Sequence, residues 1–217
     1  MTRPVLLRTR RVQLLLALLL PLLSSCVTVE VGGEPAANVQ LSLTDARPDV
    51  TRRAQTIVDA LLIQAQPAQA LGDTQAIAYS RRENEYAFYQ YATWTERPVR
   101  RLPQLLQRRL QARGVATAVG MLGDPLRADW LLVIGVDDLH HDVRVAPGRG
   151  RLALTAGLYD RRTRVRVAQR HFVATVAAGR ADSAAAVAAL SEATADVFDA
   201  LLPWVETELQ QGVARAR

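Results

Sequence analysis

The chain contains a single cysteine, Cys26, which directly follows Leu23-Ser24-Ser25. Upstream lie a start with four arginines and then a run of residues 12–23 that is almost entirely Leu, Val and Ala. A basic start, a short apolar stretch and small residues before the cleavage point are typical of a secretory signal peptide. With a cysteine at this position, the pattern is a bacterial lipobox. It predicts removal of residues 1–25, which leaves Cys26 as a lipidated N-terminus.

Two alternatives to this interpretation are weaker. A retained transmembrane helix needs roughly 20 apolar residues, and Pro21 and the two serines end the run earlier. A free cysteine is often a small buried hydrophobe, but that does not account for the basic and apolar segments before Cys26. Diacylglycerol on the sulfur and an acyl chain on the new amino group give stable anchoring, because each buried methylene contributes ~0.8 kcal/mol.

The lipid anchor also predicts a location. Val27, and not Asp, follows the cysteine, so the retention signal of enteric inner-membrane lipoproteins is absent. We therefore expect the periplasmic face of the outer membrane, with the inner membrane as the alternative.

Composition limits the fold and the partners. Lipidation of Cys26 leaves no thiol for a disulfide or a metal site, so packing alone must hold the domain. The net charge is +6, but four of the 27 basic residues lie in the signal segment, which leaves 23 against 21 acidic residues. Every basic residue is arginine. A periplasmic address and a nearly neutral mature chain argue against nucleic acid as a partner.

The pattern along the chain predicts one α+β domain, a mostly antiparallel or mixed sheet packed against two main amphipathic helices. Residues 26–38 form a lipidated tether, residues 39–211 the domain, and residues 212–217 a disordered tail. Alternating or continuous apolar runs predict the strands: 55–64, 75–80, 85–94, 115–119, 130–136, 152–158 and 165–176. The last two form a hairpin around residues 160–163.

Two segments have helical periodicity. The first follows Pro98 and ends at Gly114, with Pro103 as an alternative start, and its apolar stripe includes Leu102, Leu106 and Leu110. The second is capped by Asp182 or Ser183. Its stripe repeats at helical spacing and should pack on the sheet: Val187, Leu190, Thr194, Val197, Leu201 and Trp204.

Catalytic and metal-binding patterns are absent from the sequence. His140-His141-Asp142 is the only histidine cluster, and neighbouring strand residues point to opposite faces, which disfavours a shared ion. The same argument separates Asp137 from Asp138 as an acid and base pair. Neither a nucleophile elbow nor a phosphate loop occurs. We therefore expect no enzyme activity and no cofactor.

Residues 75–113 resemble a known family. The aromatic strand containing Tyr91 and Trp94 is followed by Glu96 and by Pro98, which opens a Leu-rich helix. The chain resembles the PqiC-like family of ABC-type transport auxiliary lipoproteins, whose members share an aromatic residue, then Trp-x-Glu, an amphipathic helix, a strand hairpin and an Ala-rich C-terminal helix. Here Pro98-Val99 stands where Pro-Leu is common. The resemblance covers most of residues 39–209.

The resemblance implies a non-enzymatic accessory that works beside an MCE-domain protein and an ABC permease and ATPase in moving phospholipid or related molecules between membranes. For Tyr91, Trp94, Glu96 and Pro98 two roles are open. The aromatic residues either fill the core, with Glu96 favouring the helix N-terminus through its dipole, or they contact a partner. We favour the structural role.

Further hypotheses remain open at this point. The chain is an independent lipid-binding lipoprotein with an apolar groove between sheet and helices, or an envelope hydrolase. Edge strands and amphipathic helices also permit a homo-oligomer. An arginine cluster either contacts anionic headgroups or, as we favour, forms a solvated strand and turn face: Arg161, Arg162, Arg164, Arg166 and Arg170.

Overall fold

A computed structural model of the chain describes residues 38–66 and 70–215, so the signal segment, Cys26 and nearly all of the tether lie outside the described residues. Eight strands form one mixed sheet within them: β1 Val39–Leu41, β2 Val58–Ala65, β3 Ala76–Arg82, β4 Glu85–Trp94, β5 Ala116–Met121, β6 Trp130–Asp142, β7 Arg149–Asp160 and β8 Val165–Ala177. Two helices complete the fold: α1 Pro98–Arg113 and α2 Ser183–Arg215. The predicted α+β class with a mixed sheet and two main helices is confirmed.

Strand β6 is the centre of the sheet. One of its edges pairs along its full length with β7, which forms an antiparallel hairpin with β8. The other edge pairs in parallel first with β2, from Trp130 to Ile134, and then with β3 at His141 and Asp142. Strand β5 extends the β2 side in parallel, and β4 and then β1 extend the β3 side.

Both helices pack on the same face of this sheet. Helix α1 lies mainly over β5 and β2, and α2 lies over β7 and β8. Side chains on alternate strand positions are therefore buried, for example Leu152, Leu154 and Leu158 of β7, whereas the other face is half-exposed. The predicted stripe of α2 is buried throughout. Burial of apolar surface holds these layers together, because each Å² buried stabilises the fold by about 25 cal/mol.

The helix ends follow the sequence signals. Helix α1 begins at Pro98 and continues through the buried Pro103, so Pro103 is not its start. It ends at Gly114, whose left-handed backbone (φ 73°) lets its N–H bond the carbonyls of Leu110 and Gln111. The Asp182 carboxylate accepts a hydrogen bond from the Ala185 N–H at 2.8 Å and so caps α2.

Several predicted boundaries were wrong. Residues 212–215 belong to α2 and not to a disordered tail, because Gly212 packs against the Trp130 ring, leaving no room for a Cβ there. Strand β6 extends to Asp142 because β7 and β3 supply hydrogen-bonding partners, so the His140-His141-Asp142 cluster lies within the strand. Strand β2 begins at Val58 and not at residue 55.

Residues 42–56, which we call the strap, cross both helices and are held by ion pairs. Buried Arg109 of α1 contacts Asp45 of the strap at 2.9 Å and also Asp199 of α2. Nearby, Glu206 of α2 accepts hydrogen bonds from Arg113 of α1 at 2.6 Å and from Arg53 of the strap at 2.8 Å. The strap, α1 and α2 are therefore joined by one charge network, to which each of the three segments contributes charged side chains.

The close contact between α2 and the sheet predicts a steric effect at Gly150. A Cβ there would lie 2.6 Å from the Ala189 carbonyl carbon and 2.7 Å from the Leu190 nitrogen. Backbone atoms do not yield as a flexible side chain does, so we expect Gly150→Ala to lower the free energy of unfolding by ~1–3 kcal/mol. Chemical denaturation would measure this.

The matched control is Gly179→Ala, because a Cβ at Gly179 meets nothing within 4 Å. We expect a change within about 0.5 kcal/mol for this variant. Equal effects at the two positions would contradict the packing argument.

The charge network predicts a pH dependence at Glu206. Burial alone would raise the pKa of this carboxyl, but the hydrogen bonds and charges of Arg113 and Arg53 hold the pKa below its usual 4.5. A lowered folded-state pKa stabilises the fold above the unfolded-state pKa, and this contribution is lost as pH falls through the folded-state pKa. Glu206→Gln should therefore destabilise by ~1–3 kcal/mol at neutral pH.

The difference in the free energy of unfolding between Glu206→Gln and the parent should narrow as pH falls below about 4.3. Denaturation at several pH values measures it. Glu208→Gln on the same helix is the control, since Glu208 has no ion pair among residues 38–66 and 70–215. A gap that stayed constant with pH would contradict the ionic origin.

Candidate functional site

The four residues of the family motif separate into buried and exposed positions. The Trp94 indole is only 1% exposed and lies in the core. Pro98 is buried at the start of α1, and Glu96 lies beside it and accepts a hydrogen bond from Gln104 of α1 at 3.1 Å. Tyr91, in contrast, is 59% exposed. The expectation that Tyr91 fills the core is therefore wrong.

Exposed aromatic side chains continue along β4. Tyr86 and Phe88 are 43% and 47% exposed. Strand β1 pairs only with residues 92–94 of β4, so among the described residues the outer edge of β4 from Glu85 to Tyr91 has no strand beside it. An uncovered edge with aromatic side chains is a common feature of binding surfaces.

A buried contact fixes this part of β4 to the end of β6. The Tyr89 hydroxyl lies 2.7 Å from Nδ1 of His141, which is fully buried. Burial is the main cause that raises the pKa of Tyr89 to about 12. Burial also lowers the pKa of His141 from 6.5, so the imidazole is neutral at neutral pH. The Tyr79 ring packs on Tyr89 with centroids 5.0 Å apart.

These residues form one wall of a cleft of about 500 Å³. Tyr79, Phe88, Tyr89 and Tyr91 line it from the sheet, and Val143 and Ala146 close it from the loop after β6. Its volume lies within the range of ~300–1,000 Å³ typical of ligand and peptide pockets. We call this cleft and the exposed strand beside it the β4 aromatic edge.

A second group of polar side chains lies on the face of the sheet without helices. The pairing of β6 with β7 shifts between Val136 and Asp138. Asp137 contacts Thr155 at 2.6 Å and Asp138 contacts Arg151 at 2.8 Å. Because Thr155 and Arg151 are four residues apart on β7, both carboxylates lie on one face. The expectation that they point to opposite faces is wrong, and the cause is this β-bulge.

The geometry of this polar group does not match a catalytic triad. The Thr155 hydroxyl and the Asp137 carboxylate both lie near the same nitrogen, Nδ1 of His171, at 3.2 and 3.1 Å. A histidine that relays a proton from a hydroxyl needs the acid on one ring nitrogen and the hydroxyl on the other. Among residues 38–66 and 70–215 no group of three or more His, Cys, Asp or Glu side chains is placed to hold a metal ion.

Hydrogen bonds keep Asp138 ionised. Burial alone would raise the pKa of Asp138, but bonds from His140 at 2.7 Å and from Arg151 bring its pKa below 3.8. This arrangement satisfies a half-buried carboxylate on the sheet surface. It resembles a structural network more than a reactive pair.

The cavity between the strap, α1 and α2 differs from the apolar groove predicted between sheet and helices. It measures about 180 Å³ and is lined by charged Arg113, Asp199 and Glu206 as well as Leu202. That volume is below the usual range for ligand pockets, and its lining does not suit acyl chains.

Sequence reasoning missed most of the β4 aromatic edge. Strand β4 has aromatic side chains at both alternating sets of positions, Tyr86 and Phe88 on one and Tyr89 and Tyr91 on the other. A strand with only one covered face cannot bury aromatic side chains of both sets, and this pattern was the available signal. The position of Val143 in the wall of the cleft depends on pairing between β3 and β6, and the sequence contains no signal for that pairing.

The different burial of two motif residues predicts different effects on stability. We expect Trp94→Ala to lower the free energy of unfolding by ~3–5 kcal/mol, because it empties a core position. Tyr91→Ala should change it by less than about 0.5 kcal/mol, as is usual for exposed side chains. Denaturation of both variants measures this, and a strongly destabilised Tyr91→Ala would contradict the exposed position.

In the parts of the chain that the structure describes, no helix has the length and apolar character needed to cross a bilayer.

Comparison with solved structures shows the fold. A protein from Xanthomonas campestris superimposes with a TM-score of 0.72 at 23% identity, covering 81% of this chain and 99% of that one. An uncharacterized protein gives 0.57 at 14% identity, with 71% and 96% covered. PelC from Paraburkholderia phytofirmans, solved as a dodecamer, gives 0.44 at 17% identity, with 74% and 93% covered; a score this low supports no conclusion about this chain.

No curated protein matches the sequence. A family model does match it, over residues 41–201. These residues include all the strands, apart from the first two residues of β1, and they also include the greater part of α2. Its description is ABC-type transport auxiliary lipoprotein component. The match spans well over half of the chain, and the predicted resemblance is confirmed. The chain belongs to the family of ABC-type transport auxiliary lipoprotein components.

Proposed function

We propose that the chain is a non-enzymatic accessory of an ABC-type system that moves lipid between membranes, and that it works beside an MCE-domain protein and an ABC permease and ATPase. The observation that supports this most directly is the family match over residues 41–201. The description of that family supports a transport accessory. The MCE partner and the lipid cargo are our proposal.

The proposed location is the periplasmic face of the outer membrane. The lipobox ending at Cys26 supports a lipid anchor, and Val27 favours the outer over the inner membrane. A tether of about a dozen residues, each spanning at most ~3.6 Å, allows the domain to reach some tens of ångströms from its membrane. Such reach suits a protein that contacts a partner anchored elsewhere.

The β4 aromatic edge is the surface on which we place the contact with the MCE-domain protein. Tyr86, Phe88 and Tyr91 are each more than 40% exposed, and tyrosine and phenylalanine are enriched at protein interfaces. The edge of β4 from Glu85 to Tyr91, which has no strand beside it among the described residues, additionally offers backbone hydrogen bonds to an added strand. A partner strand there would extend the sheet and cover the aromatic rings.

Non-enzymatic action is supported by the arrangement of the polar residues. The Thr155, His171 and Asp137 group uses one imidazole nitrogen for two partners, and this disfavours the hydrolase hypothesis. The alternative of an independent lipid-binding lipoprotein is favoured by a different observation, a cleft on the face of the sheet without helices that is lined by Arg127, Arg161, Arg162 and Arg164.

In-cell photocrosslinking tests the partner. A photoreactive phenylalanine analogue at position 91 or 88 should crosslink an MCE-domain protein, identified by mass spectrometry. The matched control position is Val173, which is 47% exposed on β8, away from the β4 aromatic edge, and we expect no such product there. Cys26→Ala should abolish the product at position 91, because the unanchored chain no longer concentrates beside its partner.

Substitution distinguishes contact from proximity. The double variant Phe88→Ser with Tyr91→Ser removes exposed apolar area only, so the fold should persist while recovery of the MCE-domain protein falls by about tenfold or more, as expected for loss of interface anchors worth ~1–2 kcal/mol. Crosslinks that appear equally at position 173, or partner recovery unchanged in the double variant, would contradict this docking surface. A lipid adduct without a protein partner would favour the independent carrier.

A further inference from the structure

A second cleft lies at the opposite end of β6 from the β4 aromatic edge, on the face of the sheet without helices. It is the larger of the two, with a volume of about 740 Å³. The segment before β6, the N-terminal half of β6 and the turn between β7 and β8 surround it. Its charged lining residues are four arginines and two aspartates: Arg127, Arg161, Arg162, Arg164, Asp129 and Asp160.

The four guanidinium groups are not neutralised by the two carboxylates. Asp160 is buried, accepts hydrogen bonds from the backbone N–H of Arg162 and of Thr163, and also pairs with the Arg162 guanidinium at 3.5 Å. Asp129 is 4.0 Å from Arg162. Among residues 38–66 and 70–215, Arg127 and Arg164 have no carboxylate oxygen within 4.0 Å. The cleft therefore has a positive excess that suits an anion.

The floor of the cleft is apolar. Leu131 and Val133 of β6 and Tyr159 of β7 are each only half-buried and face the cleft. The Tyr159 ring lies back over Gly157, where a Cβ would be 3.1 Å from Cε2 of the ring. Glycine at this position thus lets the aromatic ring lie flat on the sheet. A ligand with a charged group and an apolar segment fits such a lining better than a free ion does.

One of the arginines occupies a backbone conformation that favours glycine. Arg164 has φ 61° at the end of the β7–β8 turn. This is the left-handed region, where residues other than glycine and asparagine are uncommon. The chain thus places at the cleft an exposed guanidinium that has no ion pair within the described part of the chain, although glycine would suit the turn better. Strain of this kind is often found at binding sites.

Four of the five residues of the predicted arginine cluster, all except Arg166, take two different positions. Arg161, Arg162 and Arg164 line the cleft, whereas Arg170 stacks over Phe172 with its guanidinium carbon 5.2 Å from the ring centroid. Arg161, Arg162 and Arg164 are exposed, as the solvated turn face predicts, and they also line an open cleft beside apolar side chains.

We propose that this cleft binds the headgroup of an anionic glycerophospholipid. The phosphodiester would lie between Arg127 and Arg164, with Arg161 and Arg162 beside them. The glycerol and the first part of the acyl chains would lie on Leu131, Val133 and Tyr159. The inference deepens the proposed role in lipid transport by naming the ligand class and its site, but binding by this chain alone does not require the MCE partner.

Native mass spectrometry of the full lipidated chain in a non-ionic detergent tests the proposal. The chain is titrated with phosphatidylglycerol, with phosphatidylcholine and with inorganic phosphate. Phosphatidylglycerol should bind at about tenfold lower concentration than zwitterionic phosphatidylcholine, a difference of ~1.4 kcal/mol. Inorganic phosphate at the same concentration should not displace it, because phosphate makes no contact with the apolar floor.

Arg164→Gly is the decisive variant. It removes a guanidinium and relieves the left-handed conformation, so the midpoint of thermal unfolding should stay the same or rise while affinity for phosphatidylglycerol falls by about tenfold. Arg127→Gln should weaken binding similarly. The matched controls are Arg100→Gln and Arg108→Gln on the exposed side of α1, which change net charge equally but lie on the other face of the sheet.

Three results would overturn the proposal. The first is unchanged phosphatidylglycerol binding in both Arg164→Gly and Arg127→Gln. The second is equal weakening by the α1 controls, which would indicate a general charge effect. The third is displacement by equimolar inorganic phosphate, which would show a simple anion site. None of these results bears on the MCE partner, whose test is the crosslink at position 91.

Discussion

Strand β6 holds the two halves of the sheet together through its backbone hydrogen bonds. Its thirteen residues pair with β7 along one edge, while the other edge serves β2 and β3 in succession. Neither the β2–β5 pair nor the β3–β4–β1 group contacts the β7–β8 hairpin directly in this sheet order. Every other strand is therefore positioned by β6, directly or through one or two neighbours. Burial alternates from Trp130 to Ile134, because the helices cover only one face of the sheet.

The one-sided packing of the helices determines which surfaces remain available. Helices α1 and α2 cover one face, and the strap joins them through Arg109 and Glu206. Charge pairs with this little exposure contribute to specific geometry as much as to stability. Two surfaces stay uncovered among the described residues, the β4 aromatic edge and the arginine-lined cleft. Both are consequences of how far the helices extend over the sheet.

These two surfaces lie near opposite ends of β6. The β4 aromatic edge is attached to the strand at His141 through Tyr89, and the cleft has Leu131 and Val133 as its floor. Thirteen extended residues span roughly 40 Å. A lipid headgroup at one end and a protein partner at the other would thus not compete for space. This separation suits an accessory that contacts a transport assembly while it holds or presents lipid, and it needs no catalytic group.

Local sequence patterns determined the class of fold and most of its elements. The strand at residues 85–94, the stripe of α2 and the Gly114 stop each depend on neighbouring residues, and the structure has all three. The lipobox at Cys26 is likewise a local signal, and it remains a prediction. The motif residues were also readable as a family resemblance, which the family match confirmed.

Only the tertiary structure decided strand order, exposure and the two clefts. Tyr91 and Trp94 have equally aromatic side chains on one strand, but Trp94 is covered and Tyr91 is not. The bulge that brings Asp137 and Asp138 to one face arises from pairing with β7. Arg164 and Arg127 line the same cleft only because β7 returns beside β6. The physical reason is that these features depend on contacts between residues far apart in the chain, which periodicity in a single segment does not encode.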